Sequence, residues 1–104
     1  MNVDDFVKGW LVGDFNPVLF NSDSVEVGLK YYKAGDYEQT HVHDVITEYT
    51  IVVYGSVRMK GSEFGPRSII KIEPGESTDF LSIEDSATLV IKTPSIPSDK
   101  RVIQ

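Results

Sequence analysis

Turn-forming residues punctuate this chain at short intervals. They stand at Ala34-Gly35-Asp36, Gly55-Ser56, Gly61-Ser62, Gly65-Pro66, Pro74-Gly75 and Glu84-Asp85-Ser86. Glycine reaches the positive backbone angles that tight turns need, proline presets φ and cannot donate to a ladder, and Asp and Ser bond their own backbone. The segments between them are rich in Val, Ile, Tyr, Phe and Thr, with partial alternation of apolar and polar residues. That pattern predicts strands over residues 25–32, 37–43, 48–54, 68–72, 78–82 and 87–93, with weaker candidates at 8–12 and 57–60. No window of helical length carries a clean 3.6-residue period. Many short strands joined by regular turns predict an all-β sandwich or barrel. Pro94 and Pro97 hold the tail TPSIPSDKRVIQ extended, packed along the body or onto a partner.

With 104 residues, of which 40% are hydrophobic and 11% aromatic, the chain suits one domain, 1–104, around one modest core. It has no apolar run near ~18 residues, so no membrane span is expected. The start, MNVDDF, is acidic and lacks a charged-then-apolar leader, which points to the cytoplasm. The absence of cysteine excludes disulfides and thiolate chemistry. The net charge of −6 repels phosphate backbones, so no nucleic-acid partner is expected.

Both histidines of the chain fall in one stretch, GDYEQTHVHDVITEYTIVVYG, residues 35–55. On a regular strand, Tyr37, Gln39, His41 and His43 share one face, and the two imidazoles stand about 6.5–7 Å apart along it. A turn over residues 44–46 then brings Glu48 back on an antiparallel neighbour. Two imidazoles and a carboxylate suit iron, manganese, zinc or nickel and leave coordination positions open. By the same parity Thr50, Val52 and Tyr54 follow Glu48 into the interior. Tyr49, Ile51 and Val53 face the other way and, with Trp10, need cover from a second sheet or subunit.

The spacing is Gly35, five residues, His41, one residue, His43, four residues, Glu48, six residues, Gly55. It resembles the first motif of the cupin superfamily at every fixed position. The resemblance implies a cupin-type jelly-roll barrel, the double-stranded β-helix, with one divalent transition metal held by His41, His43 and Glu48. The KGWLVG start, the PGE turn and the KTPS tail look like those of small stand-alone cupins, and single cupin domains commonly pair, so a homodimer is expected. The family's second motif is degraded. Aligned through Gly75, its histidine ligand becomes Thr78, with Arg67, Glu73 and Ser82 at other fixed positions. Asp79 takes the ligand's place only if a bulge reverses strand parity; otherwise Thr78 lines the site or bonds a water in the fourth position.

Outside this set, Lys30 and Lys92 fall inside strand patterns, where lysine is disfavoured. They are expected to face solvent; facing the interior, either could hold an anionic group. Gln39 and Tyr54 are further candidates for ligand contact, with Thr78. With no third histidine, any general base must be a carboxylate, Tyr, Lys or metal-bound hydroxide. The resemblance implies a metal-dependent enzyme on a small polar molecule such as a sugar derivative or organic acid. Its alternatives are a non-catalytic small-ligand-binding module and a structural accessory protein with a relic site.

Overall fold

A computed structural model describes residues 1–103. Two 3-10 turns, Val3–Asp5 and Val7–Gly9, lead into strands β1 (Trp10–Gly13), β2 (Phe20–Asn21), β3 (Glu26–Tyr32), β4 (Tyr37–Val42), β5 (Thr47–Tyr54), β6 (Val57–Met59), β7 (Ser62–Phe64), β8 (Ile69–Ile72), β9 (Ser77–Ser82), β10 (Ser86–Thr93) and β11 (Arg101–Val102). Every segment predicted as a strand contains one, although the candidate over 8–12 begins only at Trp10, with Lys8 and Gly9 in the second 3-10 turn. The additions, β2, β7 and β11, are two or three residues long, too short to show a period.

The strands make two sheets, ordered β2-β1-β3-β10-β5-β8 and β11-β4-β9-β6-β7. Apart from β1 with β2, every pair is antiparallel. Consecutive strands such as β4 and β5 lie in opposite sheets, which is how a double-stranded β-helix winds. Among the described residues, no helix is long and apolar enough to cross a membrane.

Alternation decides what lies between the sheets. The inward row of β5 runs Glu48, Thr50, Val52, all buried, while Tyr49 and Ile51 are half-buried and Val53 is exposed. Val52 joins Val57, Met59, Ile70, Ile72 and Phe80 in an apolar cluster, with Tyr32 against Phe80 at a ring separation of 4.4 Å. The interior is thus apolar around Val52 and turns polar at Glu48, which pairs with Ile72 of the cluster. Replacing Ile70, 3% exposed, with Val removes one methylene from this cluster. A loss of about 1 kcal/mol in unfolding free energy is expected in urea titration.

The tail packs along the body as expected, but it is not extended throughout: it bends at Pro94, and the Asp99 amide donates to the Ile96 carbonyl at 3.0 Å to close a turn over residues 97 and 98. The Ser95 amide donates to the Asp23 carbonyl, Ser95 Oγ donates to Glu26 at 3.0 Å, and β11 pairs with β4. Trp10 is not an uncovered outer residue. It lies on Gly28, where a Cβ would come within 2.7 Å of the indole.

Candidate metal centre and its cavity

His41 is the next-to-last residue of β4, His43 follows the end of that strand in the turn, and Glu48 is the second residue of β5. β5 is not the hydrogen-bonded neighbour of β4 that the sequence predicts; the turn carries the chain across to the facing sheet and brings one donor atom from each residue within 4.8 Å of the others. His43 Nε2 lies 3.5 Å from Glu48 Oε1, and the two imidazoles meet edge to face with ring centres 5.4 Å apart.

Each imidazole is oriented through its other nitrogen. His41 Nδ1 donates to the Gln39 carbonyl at 3.1 Å, and His43 Nδ1 donates to the Asp99 carbonyl. A carbonyl only accepts, so Nδ1 carries the proton in both rings and each Nε2 presents a lone pair. His43 Nε2 is buried and has no hydrogen-bond partner among the described residues. A buried acceptor without a donor, beside a second imidazole and a carboxylate, is what a bound cation satisfies. The residues therefore fit the metal that the spacing suggests.

The charges agree. Burial lowers the His41 pKa, opposed by its bond to Gln39, so the ring stays neutral and able to ligate. Burial works against the Glu48 carboxylate. The adjoining His43 ring, the Lys92 charge and the Thr50 hydroxyl at 2.9 Å outweigh it and hold the carboxyl below its ordinary range.

The turn that carries His43 is fixed from the tail. Asp99 accepts from the amides of Asp44, Val45 and Ile46 at 2.9–3.0 Å, and Arg101 makes a two-pronged bond to Asp44. On the other side the Gly75 amide donates to the His43 carbonyl at 2.8 Å. Asp99 lies 56 positions beyond His43, and no local pattern in the sequence marks it.

The three donors open on a cavity of about 640 Å³. Its wall holds residues that strand parity assigned elsewhere. Lys30 and Lys92 face this cavity instead of solvent, because Lys92 pairs across β10 with Glu26 on one side and Glu48 on the other. Burial pushes the Lys30 ammonium down to about 8, against the Glu38 charge that raises it. Glu38 also faces the cavity and accepts from Tyr32 at 3.0 Å.

Four other candidates stand elsewhere. Between Glu38, opposite Phe80, and His41, opposite Thr78, β4 uses three steps against two on β9. This bulge turns Glu38 inward and leaves Gln39 exposed; only the Gln39 carbonyl serves the site. On β5, Tyr54 opposes Ala87 while Val52 opposes the next residue, Thr88. Val53 is the extra residue, and Tyr54 is turned outward, 47% exposed. Thr78 is buried, but its hydroxyl is committed to backbone, accepting from the Lys60 amide and donating to the Asp79 carbonyl. Asp79 points to the opposite face from Thr78, where it accepts from Tyr37 at 3.0 Å and lies 3.9 Å from Arg58. No bulge reverses β9, so Asp79 stands outside the donor cluster.

These features define a class: a small all-β protein with the cupin-type double-stranded β-helix fold and a His-His-Glu group able to bind a metal. Among solved structures the chain is similar to the DMSP lyase DddQ from Ruegeria pomeroyi, with a TM-score of 0.74 and 22% identity, over 89% of this chain and 49% of that one. It is also similar to a double-stranded β-helix protein from Klebsiella pneumoniae, with a TM-score of 0.74 and 15% identity, over 98% and 88%. Bacillus subtilis oxalate decarboxylase, a protein with Mn(II) centres, matches with a TM-score of 0.63 and 21% identity, over 74% and 23%. The chain thus spans about half of the lyase and a quarter of the decarboxylase. No family model matches the sequence, and no curated protein matches it. Identities this low establish the fold, and a fold carries many chemistries.

Proposed function

We propose that this chain is a small metal-binding cupin that holds one divalent transition ion, iron, manganese, zinc or nickel, at His41, His43 and Glu48. It acts on a small polar molecule, such as an organic acid or sugar derivative, in the adjoining cavity. The observation that carries this reading is the unpartnered His43 Nε2, aimed with His41 and Glu48 at the cavity. When bound, such an ion supplies Lewis-acid polarisation of an oxygen donor. The chain's own proton-handling groups are Lys30, able to give up a proton near pH 8, and Glu38, bonded to Tyr32. The fold neighbours include enzymes, which supports catalysis by analogy.

A non-catalytic ligand-binding or accessory cupin is the second reading. It draws on Thr78, whose hydroxyl is spent on backbone where the family places a fourth ligand. Turnover of a panel of small acids and sugars by the metal-loaded protein separates the two. A cytoplasmic homodimer completes the proposal. Ile69, 65% exposed and paired with Ile51, and the exposed Val53 form an apolar strip on the outer sheet that a second copy would cover.

The test is elemental analysis after exposure to mixed divalent metals. One equivalent is expected at neutral pH. Protons compete for the same lone pairs, so release is expected as pH falls below about 6.5, the ordinary imidazole value. Protein that takes up no metal at neutral pH overturns the reading.

A further inference from the structure

Two lysines share one indole at the cavity wall. On β3, Glu26, Gly28 and Lys30 point inward, opposite Lys92, Val90 and Thr88 of β10. Gly28 leaves the space that Trp10 fills. Lys30 Nζ stands 4.7 Å and Lys92 Nζ 4.9 Å from the indole centre. The Lys30 ammonium is further tied to the Lys8 carbonyl at 2.6 Å, and that of Lys92 lies 3.9 Å from Glu48. Opposite Lys30, the Thr88 hydroxyl is fully buried and has no hydrogen-bond partner among the described residues.

The balance of charge points to an anion. Four lysines and three glutamates are the ionised groups around the cavity besides the histidines, one positive charge in excess. A divalent ion raises that excess to three, on a chain whose net charge is −6. A cationic concavity in an acidic protein concentrates small anions against the surrounding field. Its wall has no arginine to fork a phosphate, and its ammonium groups are point charges partly compensated by Glu48. A carboxylate fits that better than a phosphate dianion.

We propose that Lys30, Lys92 and Thr88, grouped beside Trp10, anchor the carboxylate of a small organic acid whose second oxygen donor faces His41, His43 and Glu48. This rests on the reading of the cavity as a ligand site. Because Lys92 adjoins Glu48, the acid is compact, of the 2-hydroxy or 2-oxo type.

Trp10 is the sole tryptophan, so its fluorescence reports on the anchor. Zinc-loaded protein is titrated with lactate, its neutral analogue lactamide, and inorganic phosphate. Lactate is expected to change the emission saturably, with lactamide and phosphate at least about tenfold weaker, the effect of losing one charge-assisted hydrogen bond. Lys92→Met should weaken lactate by about the same factor and Lys92→Arg should recover most of it, which excludes a folding defect. Lactate binding should persist, more weakly, without metal. Protein that takes up no metal yet binds lactate through Lys92 overturns the metal reading and supports the anchor. Metal-loaded protein that ignores lactate, binds lactamide equally, prefers phosphate, or is indifferent to Lys92→Met overturns the anchor.

Discussion

Changing His43 to alanine is expected to lower affinity for a divalent ion at least about 100-fold while the fold survives. The residue is 3% exposed, yet its neighbours at the site include the polar Glu48 and His41. Water can fill the space that alanine leaves, because a polar cavity offers it partners. The apolar cluster of the core does not include His43. Calorimetric titration with zinc, paired with a thermal melt, checks both halves of this expectation. Added imidazole should restore part of the uptake by supplying the missing lone pair. A variant that keeps wild-type affinity would place the ion elsewhere.

Asp99→Ala is expected to destabilise the fold and weaken the metal site together. Its carboxylate accepts three amide hydrogens from residues 44–46, and its carbonyl accepts from His43 Nδ1. Removing the carboxylate leaves those amides to water and frees the tail from the turn. A loss of about 2 kcal/mol is expected, allowing for solvent access to the side chain. Metal affinity should drop about 10-fold or more, because the backbone carbonyl of residue 99, which alanine keeps, is no longer anchored beside the His43 ring once the carboxylate is gone. Urea titration and zinc titration measure the two losses. Metal affinity unchanged in a destabilised variant would make Asp99 a fold residue only. Burial raises the Asp99 pKa, but the three amides outweigh it and hold the carboxyl below its ordinary range. A depressed folded-state value means that this contribution is present at neutral pH and fades as pH falls through and below about 4.

Much of this molecule was legible in local pattern. Turn residues at short intervals and β-branched runs between them specify strands, since both act through the backbone of the residues that carry them. The His41, His43, Glu48 spacing works across one turn, where eight residues span the whole set. Parity on β9 also held: Thr78, Phe80 and Ser82 are buried, and Asp79 faces away.

What parity could not reach was decided across the ladder. The bulge in β4 exists because three residues there oppose two on β9, and it exchanges Gln39 for Glu38 at the cavity. The bulge at Val53 depends on β10 and turns Tyr54 outward. Lys30 and Lys92 disfavour a strand interior on their own, and only the juxtaposition of Trp10, Gly28 and Glu48 gives their charges a place inside. Asp99 reaches His43 over 56 positions of chain. Which segments extend, and which donors meet across one turn, follows from the chain itself, because both depend on residues close in sequence. The tertiary structure alone decided which side chains enter the cavity, because a bulge, a cross-strand charge and a docked tail are properties of segments that meet only after folding.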